Sequence, residues 1–156
     1  QYCWSVLIQN IVVMFNKILV VCVGNICRSP TGEALLKQLS PHCDVRSAGV
    51  QALVGKPADE QAKSIARQHG IEMETHLARQ LDAAMCHEAD LILVMESSHI
   101  RAVEKICPTV RGKIMLFGQW LPNKEIADPY RKSDEMFALV YQQIEAAANK
   151  WAEKLH

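Results

Sequence analysis

The run Lys17-Ile18-Leu19-Val20-Val21-Cys22-Val23 constrains this chain more than any other stretch. It is nearly all apolar and rich in β-branched residues, the pattern of a strand covered on both faces inside an α/β sheet. Gly24 then lets the backbone turn, and a helix is predicted from Ser29, with Pro30 where its missing N–H costs nothing. A buried strand that passes through a tight loop into a helix N-terminus can aim successive backbone N–H groups inward as a nest, reinforced by the positive end of the helix. Val23, Gly24, Asn25, Ile26 and Cys27 are therefore a candidate anion-binding loop with room for three anionic oxygens.

Two reactive side chains bracket that loop. Cys22 ends the strand, surrounded by N–H dipoles and a cation that favour thiolate over thiol, so it is the candidate nucleophile. Arg28, six residues later, offers a planar fork that grips two phosphate oxygens at once and opposes the negative charge that builds during transfer. The bare Cys-x5-Arg spacing is a weak signal in a chain with six cysteines. Its position at a strand-to-helix junction, with Gly24, Asn25 and a Ser-Pro helix start beside it, gives it weight.

The remaining pattern alternates strands with helices. A helix is predicted over Thr31 to Leu39, stopping before Pro41, and a strand around Asp44 to Ser47. An irregular stretch from Ala48 to Ala58 leads to a helix over Glu60 to His69, capped by Asp59 and ended by Gly70. Ala89 to Met95 reads as a third strand, Ser97 or Ser98 as the cap of a helix reaching Cys107, and Lys113 to Phe117 as a short fourth strand. The final helix, Ser133 to about Lys154, sets Met136, Phe137, Val140, Ile144, Ala147 and Trp151 on one stripe. Right-handed βαβ crossovers then imply an α/β fold: a parallel sheet with helices on both faces and ligands beyond the carboxyl ends of the strands, where Cys22 falls.

Composition supports one domain, since 156 residues of which 49% are hydrophobic can bury a sizeable core. Seventeen basic residues balance seventeen acidic ones, which gives no reason to expect nucleic acid or a membrane surface as partner. The cysteines form neither a compact disulfide framework nor close metal-binding pairs, so a cytoplasmic setting without a metal or other cofactor is expected. Cys27 is either a small buried side chain or a partner with which Cys22 forms a reversible, protective disulfide. Val6 to Phe15 is apolar, but it lacks a preceding basic residue and is too short and interrupted to span a bilayer, so neither a signal peptide nor membrane insertion is expected.

Val21-Cys22-Val23-Gly24-Asn25-Ile26-Cys27-Arg28-Ser29-Pro30, together with Asp128-Pro129-Tyr130 a hundred residues downstream, resembles the low-molecular-weight protein tyrosine phosphatases in their bacterial form. The resemblance runs from about Met14 to the C-terminus and implies a phosphatase domain over residues 14–156, with residues 1–13 an appended or non-native segment. It implies a single-domain, four-stranded parallel sheet in the order 2-1-3-4. It also implies phosphotyrosine hydrolysis through a cysteinyl-phosphate, with Asp128 as the acid that protonates the leaving phenolate and Tyr130 stacking on the substrate ring. In similar proteins Asn25 holds the loop in a strained shape with Ser47 and His76, and Ser29 donates to the nucleophile.

Two departures from the eukaryotic members are visible. Leu53 stands where those carry an aromatic residue on the cleft wall, and Arg131-Lys132 follow Tyr130 where those place a second tyrosine. Both resemble the bacterial enzymes that act on membrane tyrosine autokinases of capsule and exopolysaccharide export, whose flexible, tyrosine-rich tails suit a flatter aliphatic wall. The rival readings are an arsenate reductase on the same scaffold, which usually wants a closely spaced cysteine pair where this chain has the distant Cys86 and Cys107, and a non-catalytic phosphotyrosine-binding module, which requires neither Cys22 nor Asp128. A Walker-type nucleotide site is ruled out by the absence of the G-x4-G-K-[S/T] pattern.

Overall fold

The computed structural model of the chain describes residues 5–8 and 11–155. The first two strands, β1 (Ser5–Ile8) and β2 (Ile11–Met14), pair antiparallel from Ser5↔Met14 to Ile8↔Ile11 and form a sheet of their own. Residues 1–4, 9 and 10, which share the expectation of an appended segment, lie outside the described residues.

The catalytic-loop strand β3 (Lys17–Cys22) is central in a second sheet, flanked by β4 (Asp44–Gly49) and β5 (Leu91–Val94), with β6 (Ile114–Leu116) beyond β5. All pairs are parallel, and the order β4-β3-β5-β6 is the expected 2-1-3-4. Every residue of β3 after Lys17 is buried, and alternation divides them between two cores. Ile18, Val20 and Cys22 pack with Leu35, Leu36 and the buried stripe of the last helix, whereas Leu19 and Val21 pack with Leu81, Val103 and Val110 on the other face. Burying each large aliphatic side chain contributes about 1.5–3 kcal/mol, so a strand sandwiched this way is a firm platform for the loop that follows it.

Among the described residues five α-helices complete the fold, α1 (Arg28–Leu39), α2 (Glu60–Gln68), α3 (Ala83–Glu88), α4 (Ser97–Ile106) and α5 (Asp134–Lys154), with a 3-10 turn over Pro108–Lys113 leading into β6. Asp59 caps α2 by accepting from the N–H groups of Gln61 and Ala62, as its sequence position foretells, and Ser133 caps α5 through Met136 N–H. The stripe predicted on α5 is the buried one, with Phe137, Val140, Ile144, Ala147 and Trp151 in the core.

Two local expectations need correction. The short α3, capped by Asp82 on Met85 N–H, is absent from the sequence reading because six residues with one buried side chain carry no usable periodicity. Neither Ser97 nor Ser98 caps α4: Glu96 occupies the cap position without a side-chain cap bond, and the carboxylate of Glu125 takes up Ser97 N–H at 3.2 Å. The Glu96 carboxylate is used elsewhere.

Candidate active site

β3 ends at Cys22, and the chain runs through residues 23–27 into α1, beside the switch point between β3 and β5, from which one connection leads to β4 at one edge of the sheet and the other to β6 at the opposite edge. Every carbonyl of this turn is held by a donor from the scaffold. Val50 N–H bonds Cys22 O at 3.0 Å, Gln51 N–H bonds Val23 O at 3.0 Å, and Leu53 N–H bonds Gly24 O at 3.1 Å. Further round, His76 Nε2 donates to Asn25 O at 2.7 Å, Asp59 N–H to Ile26 O at 2.9 Å, and Thr31 Oγ1 to Cys27 O at 2.8 Å. Among the described residues no acceptor takes the backbone N–H groups of Gly24 to Ser29. Buried peptide donors demand partners, so a loop built this way leaves its N–H groups for an anion.

Asn25 is the keystone of the loop. It is fully buried and adopts a left-handed φ of 59°, a conformation that costs an asparagine less than most residues. Its Nδ2 donates to Ser29 Oγ at 2.8 Å and to Ser47 Oγ at 3.0 Å, and its Oδ1 accepts Arg79 N–H at 2.9 Å. Ser47 in turn donates to Glu33. Because Ser29 Oγ already accepts from Asn25, its own proton is free to point at Cys22 Sγ, 2.9 Å away. A hydroxyl donating to that sulfur stabilises it when negatively charged.

Arg28 is only 2% exposed and is anchored through a single nitrogen. Nη1 is held by the Glu96 carboxylate at 2.5 Å and by Ile126 O at 2.8 Å, while Nη2 stands 3.8 Å from Asp128 Oδ2. The anchoring nitrogen has spent both its donors. The opposite edge of the guanidinium, Nε and Nη2, is thereby left to face a tetrahedral oxyanion with two parallel donors. A cavity of about 200 Å³ opens above the loop, lined by Cys22, Arg28, Gln51, Leu53, Asp128 and Tyr130 among others. Asp128 is half exposed at its rim, with Oδ1 accepting Tyr130 N–H at 3.1 Å. Tyr130 is about one-third exposed and has the Arg131 guanidinium 5.2 Å from its ring centroid.

A thiol beneath a ring of free N–H donors, an arginine with an open edge and a carboxyl at the rim form one chemical unit. Residues 17–156 match the model of the low molecular weight phosphotyrosine protein phosphatases. The chain belongs to that family. A relative in Erwinia amylovora, the probable low molecular weight protein-tyrosine-phosphatase AmsI, is 56% identical over 142 residues, 91% of this chain and 99% of its own. The solved structure of Vibrio vulnificus Wzb in complex with benzylphosphonate superposes with a TM-score of 0.89 at 54% identity, covering 90% of this chain and 99% of that one. More distantly, the YwlE arginine phosphatase of Geobacillus stearothermophilus shares the fold at a TM-score of 0.83 and 33% identity, covering 89% and 92%.

The fold thus brings together, in one cavity or directly behind it, all the residues that the sequence of this phosphatase nominates: Cys22, Val23, Gly24, Asn25, Ile26, Cys27, Arg28, Ser29, Ser47, Leu53, His76, Asp128 and Tyr130. His76 meets the main-chain carbonyl of Asn25 rather than its side chain. Sequence reasoning misses Glu96, which anchors Arg28, and Gly49, whose α-carbon lies so close to the loop that a Cβ there would sit 2.4 Å from Val23 O. Neither stands in a local motif. Burial foremost, then the Asp59 carboxylate, pushes the Cys27 thiol far up, which keeps it protonated beside Cys22. A larger groove of about 730 Å³ lies behind the Asn25 network, between α1 and the 70–79 segment, with no cysteine in its lining.

Proposed function

We propose that this protein hydrolyses phosphotyrosine in a protein substrate, with Cys22 as nucleophile, Arg28 as oxyanion ligand and Asp128 as general acid and base. The observation that carries the reading is the single cavity in which Cys22 Sγ, the unanchored edge of Arg28 and Asp128 converge. Cys22 Sγ attacks phosphorus and the P–O bond to the tyrosine breaks, its electron pair passing to the phenolic oxygen as Asp128 supplies a proton. Water then attacks the cysteinyl-phosphate, Asp128 takes the water's proton, and the thiolate leaves with Ser29 Oγ–H donating to it. The free N–H groups of the loop and Arg28 hold the three equatorial oxygens through both steps. Leu53 and Tyr130 form the walls between which the aromatic ring slides.

The substrate we favour is the tyrosine-rich tail of a membrane tyrosine autokinase of capsule or exopolysaccharide export, reached from the cytoplasm, where a thiol nucleophile stays reduced. The similarity to Wzb and AmsI and the aliphatic wall at Leu53 support it. Among the described residues no helix is long and apolar enough to cross a membrane. We also regard residues 1–13 as an appended segment, since the family match begins at Lys17. Arsenate reduction gains no support, because Cys86 and Cys107 sit in the core on the other face of the sheet from Cys22.

The test is turnover of p-nitrophenyl phosphate, a phosphotyrosine peptide and a phosphoarginine peptide by wild type, Cys22→Ser and Asp128→Asn without added metal. Phosphotyrosine turnover abolished in Cys22→Ser and cut 10²- to 10⁴-fold or so in Asp128→Asn supports the mechanism. Preference for phosphoarginine overturns the substrate class. Binding of phosphopeptide without turnover points instead to a binding module.

A further inference from the structure

His99, in the first turn of α4, belongs to no motif and is used by no step above, yet it lies directly behind the anchored arginine. It is 4% exposed, and its Nε2 stands 3.5 Å from Glu96 Oε2, the same oxygen that holds Arg28 Nη1. Its Nδ1 is buried with no hydrogen-bond partner among the described residues. A nitrogen lone pair facing a carboxylate is repulsive, so the tautomer that fits is the one with the proton on Nε2 and the bare lone pair on Nδ1. The charged groups around the ring are Arg28 on α1, Glu96 at the head of α4, and Asp128 and Glu125 in the segment before α5. Burial first, and then Arg28, hold the imidazole below its ordinary pKa, so near neutral pH it is an uncharged donor and does not compete with Arg28 as a cation.

We propose that His99 is a positioning residue for phosphoryl transfer, presenting Nε2–H to Glu96 so that this carboxylate holds Arg28 with its open edge toward the loop. The proposal rests on the phosphatase reading but makes a separate claim about how the oxyanion site is held. Glu96 is one-third exposed and sits on a loop-to-helix junction, free to turn to solvent or to α4's own N-terminus. A donor on its inner side removes that freedom. The 3.5 Å separation is long for a hydrogen bond in the unliganded site, and catalytic contacts of this kind shorten when the oxyanion arrives.

Two amides of different reach separate this role from simple core filling. The Gln amide extends to where Nε2 stands, and the Asn amide stops near Nδ1. We would measure KM and kcat for p-nitrophenyl phosphate, thermal midpoints, and the inhibition constant of inorganic sulfate, a non-titrating tetrahedral dianion, for wild type, His99→Gln and His99→Asn, and repeat the His99→Asn change in a Glu96→Gln background. The expected result is a rise of about tenfold in sulfate inhibition constant and KM for His99→Asn, with His99→Gln within roughly threefold of wild type. In the Glu96→Gln background His99→Asn then adds less than about twofold, because the contact it removes is already broken. Equal constants for His99→Asn and wild type, equal losses in the Asn and Gln variants, an undiminished effect in the Glu96→Gln background, or a wild type that binds no sulfate each overturn the proposal. A wild type that binds sulfate but turns over no phosphotyrosine overturns the proposed function alone, and the sulfate series still decides the role of His99.

Discussion

Gly49→Ala is the sharpest mechanical test of how the loop is held. Gly49 ends β4 opposite Cys22, and the added Cβ would lie 2.4 Å from Val23 O, 3.0 Å from Asn25 N and 3.1 Å from Asn25 Cβ. All three are part of the loop's own frame, and the nearest is a carbonyl already fixed by Gln51 N–H at 3.0 Å. Ordinary contact begins near 3.4 Å, so either the carbonyl or β4 moves by about 1 Å. β4 is itself pinned, since Gly49 N–H bonds Arg79 O at 2.9 Å and Gly49 O accepts Leu81 N–H at 2.9 Å. Overpacking a rigid site of this kind costs about 1–3 kcal/mol of stability. A displacement of about 1 Å in the groups that position the phosphoryl oxygens costs roughly 10²-fold in kcat/KM. The assay is p-nitrophenyl phosphate kinetics alongside urea unfolding, with Gly112→Ala, where a Cβ meets nothing within 4 Å, as the neutral control. An active-site loss of less than threefold in Gly49→Ala, with stability matching the Gly112→Ala control, would refute the rigid-loop argument.

Other consequences follow from the same geometry. Asn25→Ala removes three side-chain hydrogen bonds and leaves a Cβ residue at φ 59°, so stability falls by about 2–4 kcal/mol in urea melts. Arg28→Lys keeps the charge but loses the fork and the two-point anchor, and kcat/KM drops by about 10²-fold or more while thermal stability changes much less. Cys27, its thiol pushed far up by burial, resists iodoacetamide at pH 8 in the native protein and reacts once unfolded, as peptide mapping will show. Burial pushes Cys86 from 9.0 up to about 11, so between those values the unfolded chain binds fewer protons than the native one and stability declines as pH rises; Cys86→Ala flattens that alkaline slope in urea midpoints taken at pH 8 and 10.5.

How far a residue's role was legible followed from how local its cause was. The strand at Lys17–Cys22, the loop behind it and the cap at Asp59 are written in periodicity and in short-range turn chemistry, which act over a few residues. The stripe on α5 was legible for the same reason. The six-residue α3 was too short for a period to register, and Ser97 and Ser98 misled because capping preference is weaker than a tertiary carboxylate arriving from Glu125. Ser47, His76 and Asp128 were found only through the family motif, since nothing in their immediate neighbours sets them apart.

By itself the sequence determined that a thiol would end a buried strand and face the N-terminus of a helix, because a continuous apolar, β-branched run and backbone sterics leave that segment little choice. It determined also that an arginine would stand at the helix entrance, immediately before the start predicted at Ser29; in the fold the helix begins one residue earlier, at Arg28 itself. Only the tertiary structure decided which way the loop's amides are left free, since that depends on carbonyls being claimed by Val50, Gln51, Leu53, Asp59 and His76, residues 28 to 51 positions away in the chain. It alone decided that Arg28 is gripped at one nitrogen by Glu96 and Ile126, and that Gly49 must lack a side chain. Hydrogen bonds and excluded volume act over a few ångströms of space, and the folded chain sets those distances.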